Sequence, residues 1–103
     1  MTINVNRLVQ NAIWDGGIGD VREAMREQVE KIHKYLLAFN EILLDRRRAG
    51  LLPVYDAGFV APEKQYLTIG INGFLEGAEA LGIAIDADNP EYAAYAEAVL
   101  QPI

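Results

Sequence analysis

The sequence predicts a mainly α fold with one or two short strands, and three observations predict it. Apolar residues recur at Val21, Met25, Val29, Ile32, Leu36, Phe39 and Leu43, in steps of three and four that set them on one helical stripe. The segment Gln65-Tyr66-Leu67-Thr68-Ile69-Gly70-Ile71 is rich in β-formers and leads into Asn72-Gly73. Asn89-Pro90 then opens an alanine-rich stretch, with a capping residue before a proline suited to the first helical position.

Length and composition bound the function. The 103 residues suffice for a single domain with one modest core. Apolar residues make up 51% and charged ones 23%, a globular balance. The net charge of −6 opposes binding to a phosphate backbone, so no nucleic-acid partner is expected. No apolar run approaches the roughly 20 residues of a membrane span, and Met1-Thr2-Ile3-Asn4-Val5-Asn6-Arg7 lacks the features of a signal peptide. A soluble cytoplasmic protein without a membrane partner is expected. With no cysteine, the chain holds no disulfide, thiolate nucleophile or zinc-thiolate site. His33 is the one histidine, so neither a catalytic triad nor a multi-histidine metal site can be built, and it reads as a helix-surface or partly buried residue.

Residues 2–14 read as a short helix or irregular arm, with Leu8, Val9, Ala12, Ile13 and Trp14 as its apolar side. Asp15-Gly16-Gly17-Ile18-Gly19 should break the chain, because glycine favours turns. Asp20 and Glu23 make a D-x-x-E capping arrangement at the start of a long helix over 20–49. Glu27 with Lys31, and Glu30 with Lys34, stand four apart with the acid first. Arg46-Arg47-Arg48 suits the negative end of the helix dipole, with a phosphate contact as the alternative, and Gly50 marks the stop. Residues 51–65 contain Pro53, Gly58 and Pro62 and read as an ordered loop whose apolar content should pack against something. A strand near 65–71 follows, then helices near 73–81, closed by Gly82, and near 90–100. Asp86-Ala87-Asp88 reads as a solvated turn, too short for a calcium loop.

The 68–76 junction is the one place where chemistry could sit. A strand ending in Gly70-Ile71-Asn72-Gly73 at a helix start presents exposed amides. If Asn72 caps that helix, Glu76 stands about one turn further on the same side. The bland alternative is a cap and turn. The spacing matches neither a P-loop nor a dinucleotide fingerprint. Amide binding of a nucleotide or phosphate near Asn72 is a third reading.

The stretch from about 29 to 83 resembles the catalytic-barrel region of the anaerobic (class III) ribonucleoside-triphosphate reductases. The resemblance lies in the long helix with its Arg-rich end, Gly50-Leu51-Leu52-Pro53, Tyr55-Asp56-Ala57-Gly58-Phe59, the run Thr68-Ile69-Gly70-Ile71-Asn72-Gly73-Phe74-Leu75-Glu76, and the closing Leu81-Gly82. It implies a glycyl-radical oxidoreductase with a ten-stranded α/β barrel, whose radical is installed by a radical-SAM activase and passed to a cysteine. That thiyl radical attacks the ribose of a ribonucleoside triphosphate. The reductant is formate or a thiol system. By the same resemblance Glu76 is the catalytic base on the 3′-hydroxyl. Asn72, Gly70, Gly73 and Thr68 bind substrate, with Asn72 on the ribose hydroxyls.

The chain departs from that pattern in having neither a cysteine nor a radical-glycine motif before Leu100-Gln101-Pro102-Ile103. Residues 1–103 are therefore expected to form one partial domain, a piece of a larger catalytic domain that supplies a pocket wall and is inactive alone. It would carry no cofactor, and the remainder of the reductase would be its partner. The alternative is a free-standing helical protein, without catalytic activity, that dimerises through helix 20–49.

Overall fold

A computed structural model describes residues 1–13 and 18–103. Within them lie strand β1 (Thr2–Asn4), helix α1 (Val5–Ile13), helix α2 (Ile18–Arg48), the short helix α3 (Pro53–Asp56), a 3₁₀ turn (Pro62–Lys64), strand β2 (Gly70–Asn72), helix α4 (Phe74–Ala80) and helix α5 (Pro90–Leu100). The mainly helical fold with two short strands is as expected. No described helix is long and apolar enough to cross a membrane.

The N-terminal arm is the first departure. Residues 2–4 form a strand and only 5–13 a helix. Thr2 and Ile3 are β-branched and favour the extended conformation. Asn4 then ends the strand and caps the helix, its Oδ1 accepting from the Arg7 amide at 3.0 Å. β1 pairs in parallel with β2, with Thr2 opposite Gly70, Ile3 opposite Ile71 and Asn4 opposite Asn72. The expected strand over 65–71 is thus paired only at 70–72, because its partner is three residues long. Two further bonds tie the start of the chain to it: the Met1 ammonium donates to the Thr68 carbonyl at 3.1 Å, and the Gly70 amide to the Met1 carbonyl at 2.7 Å.

Helix α2 has 31 residues and begins at Ile18, two residues before the expected start. Asp20 therefore lies inside the first turn instead of capping it, where its charge still complements the helix dipole. Ile18 and Gly19, expected in the glycine break, belong to the helix, while residues 15–17 of that break, and Trp14 of the arm before it, lie outside the described residues. The expected Glu30–Lys34 pairing gives way to Arg26, which holds Glu30 at 3.0 Å and Glu23 at 2.5 Å. Hydrogen bonding to Arg26 lowers the Glu23 pKa and raises that of Arg26. His33 is exposed on the helix surface.

The core forms where this stripe meets its neighbours. Val21, Met25, Val29, Ile32 and Leu36 of α2 pack with Ile3, Val5 and Val9 from the N-terminal strand and α1, with Ala78 of α4, and with Tyr95 and Val99 of α5. Each buried valine, isoleucine, leucine or methionine among them contributes roughly 1.5–3 kcal/mol by leaving water. The stripe does not stay covered: Phe39 is 52% exposed, and Leu37 and Ile42 are exposed as well. The expectation that 51–65 packs against something is met only in part within this chain, where α3 lies against α2. Phe59 is 83% and Tyr66 90% exposed. The segment is held instead by polar links, Tyr55 Oη to Gln65 Oε1 at 2.9 Å and Arg47 to Glu63 at 3.5 Å.

The molecule measures 52 × 27 × 17 Å, with a radius of gyration of 18.0 Å. A compact domain of this length has about 13 Å. Its accessible surface is 7011 Å², where a compact monomer of this mass exposes about 5,800 Å². The excess, about 1,200 Å², exceeds the roughly 800 Å² that one partner contributes to a standard protein interface.

Candidate functional site

The junction of β2 and α4 differs from the expected one at its pivot. Asn72 is the last residue of the strand and not the helix cap. Gly73 is the cap, with φ of +67°, a left-handed conformation that glycine adopts without a Cβ penalty. It provides no side-chain capping bond, and the helix begins when the Gly77 amide donates to the Gly73 carbonyl at 2.9 Å. Helix α4 spans 74–80, inside the expected 73–81, and its chain turns at Gly82, φ +71°, as anticipated. Asn72 and Glu76 are thus not one helical turn apart: one ends a strand and the other sits in the first turn of a helix.

Gly70 and Asn72 are exposed on the sheet face away from Ile71, and Glu76 is exposed on α4. Thr68 lies apart, in a cavity of about 190 Å³ lined also by Met1, Leu36, Phe39, Tyr66 and Leu67. The structure therefore brings Gly70, Asn72 and Gly73 together at the end of β2, with Glu76 beyond them on α4 and Thr68 two residues before the strand.

The glycines are needed for a reason the sequence did not reveal. A Cβ at Gly70 would stand 3.2 Å from Thr2 Oγ1, and one at Gly73 would stand 2.8 Å from Asn6 Cβ, 3.0 Å from its amide and 3.3 Å from Asn4 Oδ1. The nearest occupants of the space that the glycines leave are residues of β1 and the start of α1. Thr2 and Asn4 share the exposed face with Gly70 and Asn72, because side chains alternate along paired strands. Reasoning from the sequence passed over them. A signal existed: Ile3-Asn4 and Ile71-Asn72 are the same dipeptide, each at the end of a short extended stretch just before a helix.

Behind this face, α4 is fixed by α5. The Tyr95 hydroxyl donates to the Phe74 carbonyl at 2.8 Å, and the Phe74 and Tyr95 rings stand 5.1 Å apart. Burial, then Tyr92 and then Glu76 push the Tyr95 pKa up to about 12. A larger cavity, about 570 Å³, opens beside β1 between α1 and α2, lined among others by Thr2, Asn4, Arg7, Asp20 and Glu27. It includes none of residues 68–76.

No family model matches the chain, nor does any curated protein. Among solved structures, it is similar to the crystal structure of the anaerobic ribonucleotide reductase from Thermotoga maritima in complex with dATP and CTP, at 31% identity and a TM-score of 0.86. A second structure, also an anaerobic ribonucleotide reductase, matches with the same identity and TM-score. Each match covers 98% of this chain but only 18% and 17% of the other. The chain is thus a counterpart, in fold and in sequence, of one segment of an anaerobic ribonucleotide reductase, spanning less than a fifth of the length of those proteins.

Proposed function

We propose that this chain acts as a segment of the catalytic domain of an anaerobic ribonucleoside-triphosphate reductase, in which residues 68–76 form one wall of the substrate pocket. The observation that carries this reading is the 31% identity over 98% of the chain, at a TM-score of 0.86. The Thermotoga reductase holds CTP, a substrate of the required class. The excess surface, with exposed Phe39, Phe59 and Tyr66 on it, fits a piece whose neighbours lie elsewhere in a larger domain, with β1 and β2 as two of ten barrel strands.

In this reading the Asn72 amide hydrogen-bonds the ribose hydroxyls. The exposed Glu76 carboxylate accepts the 3′-hydroxyl proton, while an acid from the remainder of the enzyme would protonate the 2′-hydroxyl so that it leaves as water. Glycyl-radical chemistry would supply the abstraction of hydrogen from the sugar. A cysteine must carry that step, and this chain has none, so its own residues bind, orient and move a proton only. Gly70 and Gly73 keep the strand end narrow. Thr68, at the start of the same wall, contributes its hydroxyl to substrate binding. The partners are the remainder of the enzyme and its activase.

The test is a hybrid enzyme in which residues 1–103 replace the matching segment of the Thermotoga reductase. The hybrid should reduce CTP, and Glu76→Gln should lower kcat by about 100-fold or more, as expected for loss of a general base. A Glu76→Gln hybrid that retains full kcat overturns the assignment.

A second reading, self-association through α2, draws on the exposed Leu37, Phe39 and Ile42. The same apolar surface continues over Leu51, Val54, Phe59 and Tyr66, which one helix pair would not cover. Sedimentation of the isolated chain across a dilution series decides it: a persistent dimer favours this reading, and a monomer removes it.

A further inference from the structure

We propose that Tyr95 of α5 is a positioning residue for the Glu76 carboxylate, acting through the backbone carbonyl of Phe74. The proposal rests on the pocket-wall reading above and adds to it a residue outside 68–76. Three observations converge. Helix α4 has seven residues, and its Gly73 cap provides no side-chain capping bond. A helix so short is marginal by itself, so its placement comes from what it packs against. Tyr95 is fully buried, and its hydroxyl donates to the Phe74 carbonyl at 2.8 Å. Phe74 and Glu76 share the first turn of α4, so this bond ends on the backbone two residues before the proposed base. The phenol is itself held on two sides. Its ring stands 5.1 Å from that of Phe74 and 6.4 Å from that of Tyr92, and its hydroxyl fills the space over Gly77, where a Cβ would collide with it.

Binding and proton transfer then sit on separately held elements. Asn72 ends β2, which is fixed by pairing with β1. Glu76 rides on α4, where Gly77 and Ala78 are buried and the carboxylate stands exposed. Tyr95 touches the second element by its hydroxyl and leaves the first to its own strand partner. A general base must lie within hydrogen-bond reach of the proton it takes, about 2.6–3.2 Å. A shift of the turn by about 1 Å therefore slows the chemical step, while the strand end that binds the sugar stays in place.

The hybrid enzyme tests this. Tyr95→Phe keeps the ring and removes the donor. It should lower kcat for CTP about tenfold, the scale of one hydrogen bond, at unchanged KM. In the Glu76→Gln background the same change should lower kcat no further, because no base remains to be positioned. Para-aminophenylalanine at 95 returns a donor to the same place and should restore kcat. Tyr95→Phe also opens space over Gly77, and adding Gly77→Ala fills it: the new Cβ would stand 3.5 Å from the ring carbon that bore the hydroxyl and 3.3 Å from a Val9 methyl. That double variant should regain melting temperature and keep the low kcat. An undiminished kcat in Tyr95→Phe overturns the proposal. So does an equal fold-loss in both backgrounds, or a kcat that returns with the melting temperature in the double variant, because Tyr95 would then act on folding alone. If Glu76→Gln is slow while Tyr95→Phe is as fast as the parent, only the positioning role fails. If Glu76→Gln itself keeps the parental kcat, the base assignment fails and the positioning role with it.

Discussion

The hydroxyl of Tyr95 donates to the carbonyl of Phe74 at 2.8 Å and occupies the space over Gly77, where any Cβ would collide with it. A single buried phenol thereby ties α5 to the first turn of α4, the turn that carries Glu76. The contact works only because residue 77 has no side chain.

Gly77→Ala should therefore destabilise the protein although alanine is the better helix former. Helix propensity alone favours the substitution by about 1 kcal/mol. Overpacking against a fully buried ring costs typically 1–3 kcal/mol, and the clash involves a ring held by a hydrogen bond instead of a flexible chain end. A lowered thermal midpoint is expected. A raised one would show that α4 and α5 can slide apart freely.

Tyr95 also predicts an alkaline limit. Its folded pKa is raised to about 12, chiefly by burial, against about 10 for a free tyrosine. The neutral form is thus favoured in the folded state. The associated stability is fully present below pH 10 and is lost as pH rises through about 12. Denaturant midpoints followed from pH 9 to pH 12 should fall for the native sequence. Tyr95→Phe should cost about 1 kcal/mol at neutral pH through the lost hydrogen bond and should flatten most of that alkaline decline.

Helix α2 should behave as two halves. Met25 is fully buried, and Met25→Ala should cost about 2–5 kcal/mol by opening a cavity. Phe39 lies further along the same stripe but is half exposed. Phe39→Ser should change the stability of the isolated chain by no more than about 0.5 kcal/mol, the usual range for surface positions. In the hybrid enzyme the same change should be costly if the remainder of the domain covers this surface. Equal losses at 39 in both settings would mean that the C-terminal half of α2 is already packed within the chain.

Much of the helical framework was legible. The three-and-four spacing from Val21 to Leu36 follows from helix geometry, and those residues are the ones buried. Asn89 caps α5, its Oδ1 accepting from the Glu91 amide at 3.1 Å, as the Asn-Pro pair indicated. Gly82 turns the chain after α4 because only glycine is at ease there. The candidate site was legible as a location but not as a geometry. Asn72-Gly73 reads equally as asparagine cap plus turn or as strand end plus glycine cap. The choice fell to the second because pairing with Asn4 holds Asn72 in the strand.

By itself, then, the sequence determined the local structure whose cause is local: the helical stripe, the asparagine cap at 89 and the glycine turns. The tertiary structure alone decided that Thr2–Asn4 form a strand, that Gly70 and Gly73 make room for Thr2, Asn4 and Asn6, and that the C-terminal part of α2 stays largely uncovered. Each of these depends on residues about 70 positions apart meeting in one register, or failing to find a partner within the chain. Spacing along one stretch of sequence carries no information about such meetings, because a strand pair and a buried face are properties of two segments together.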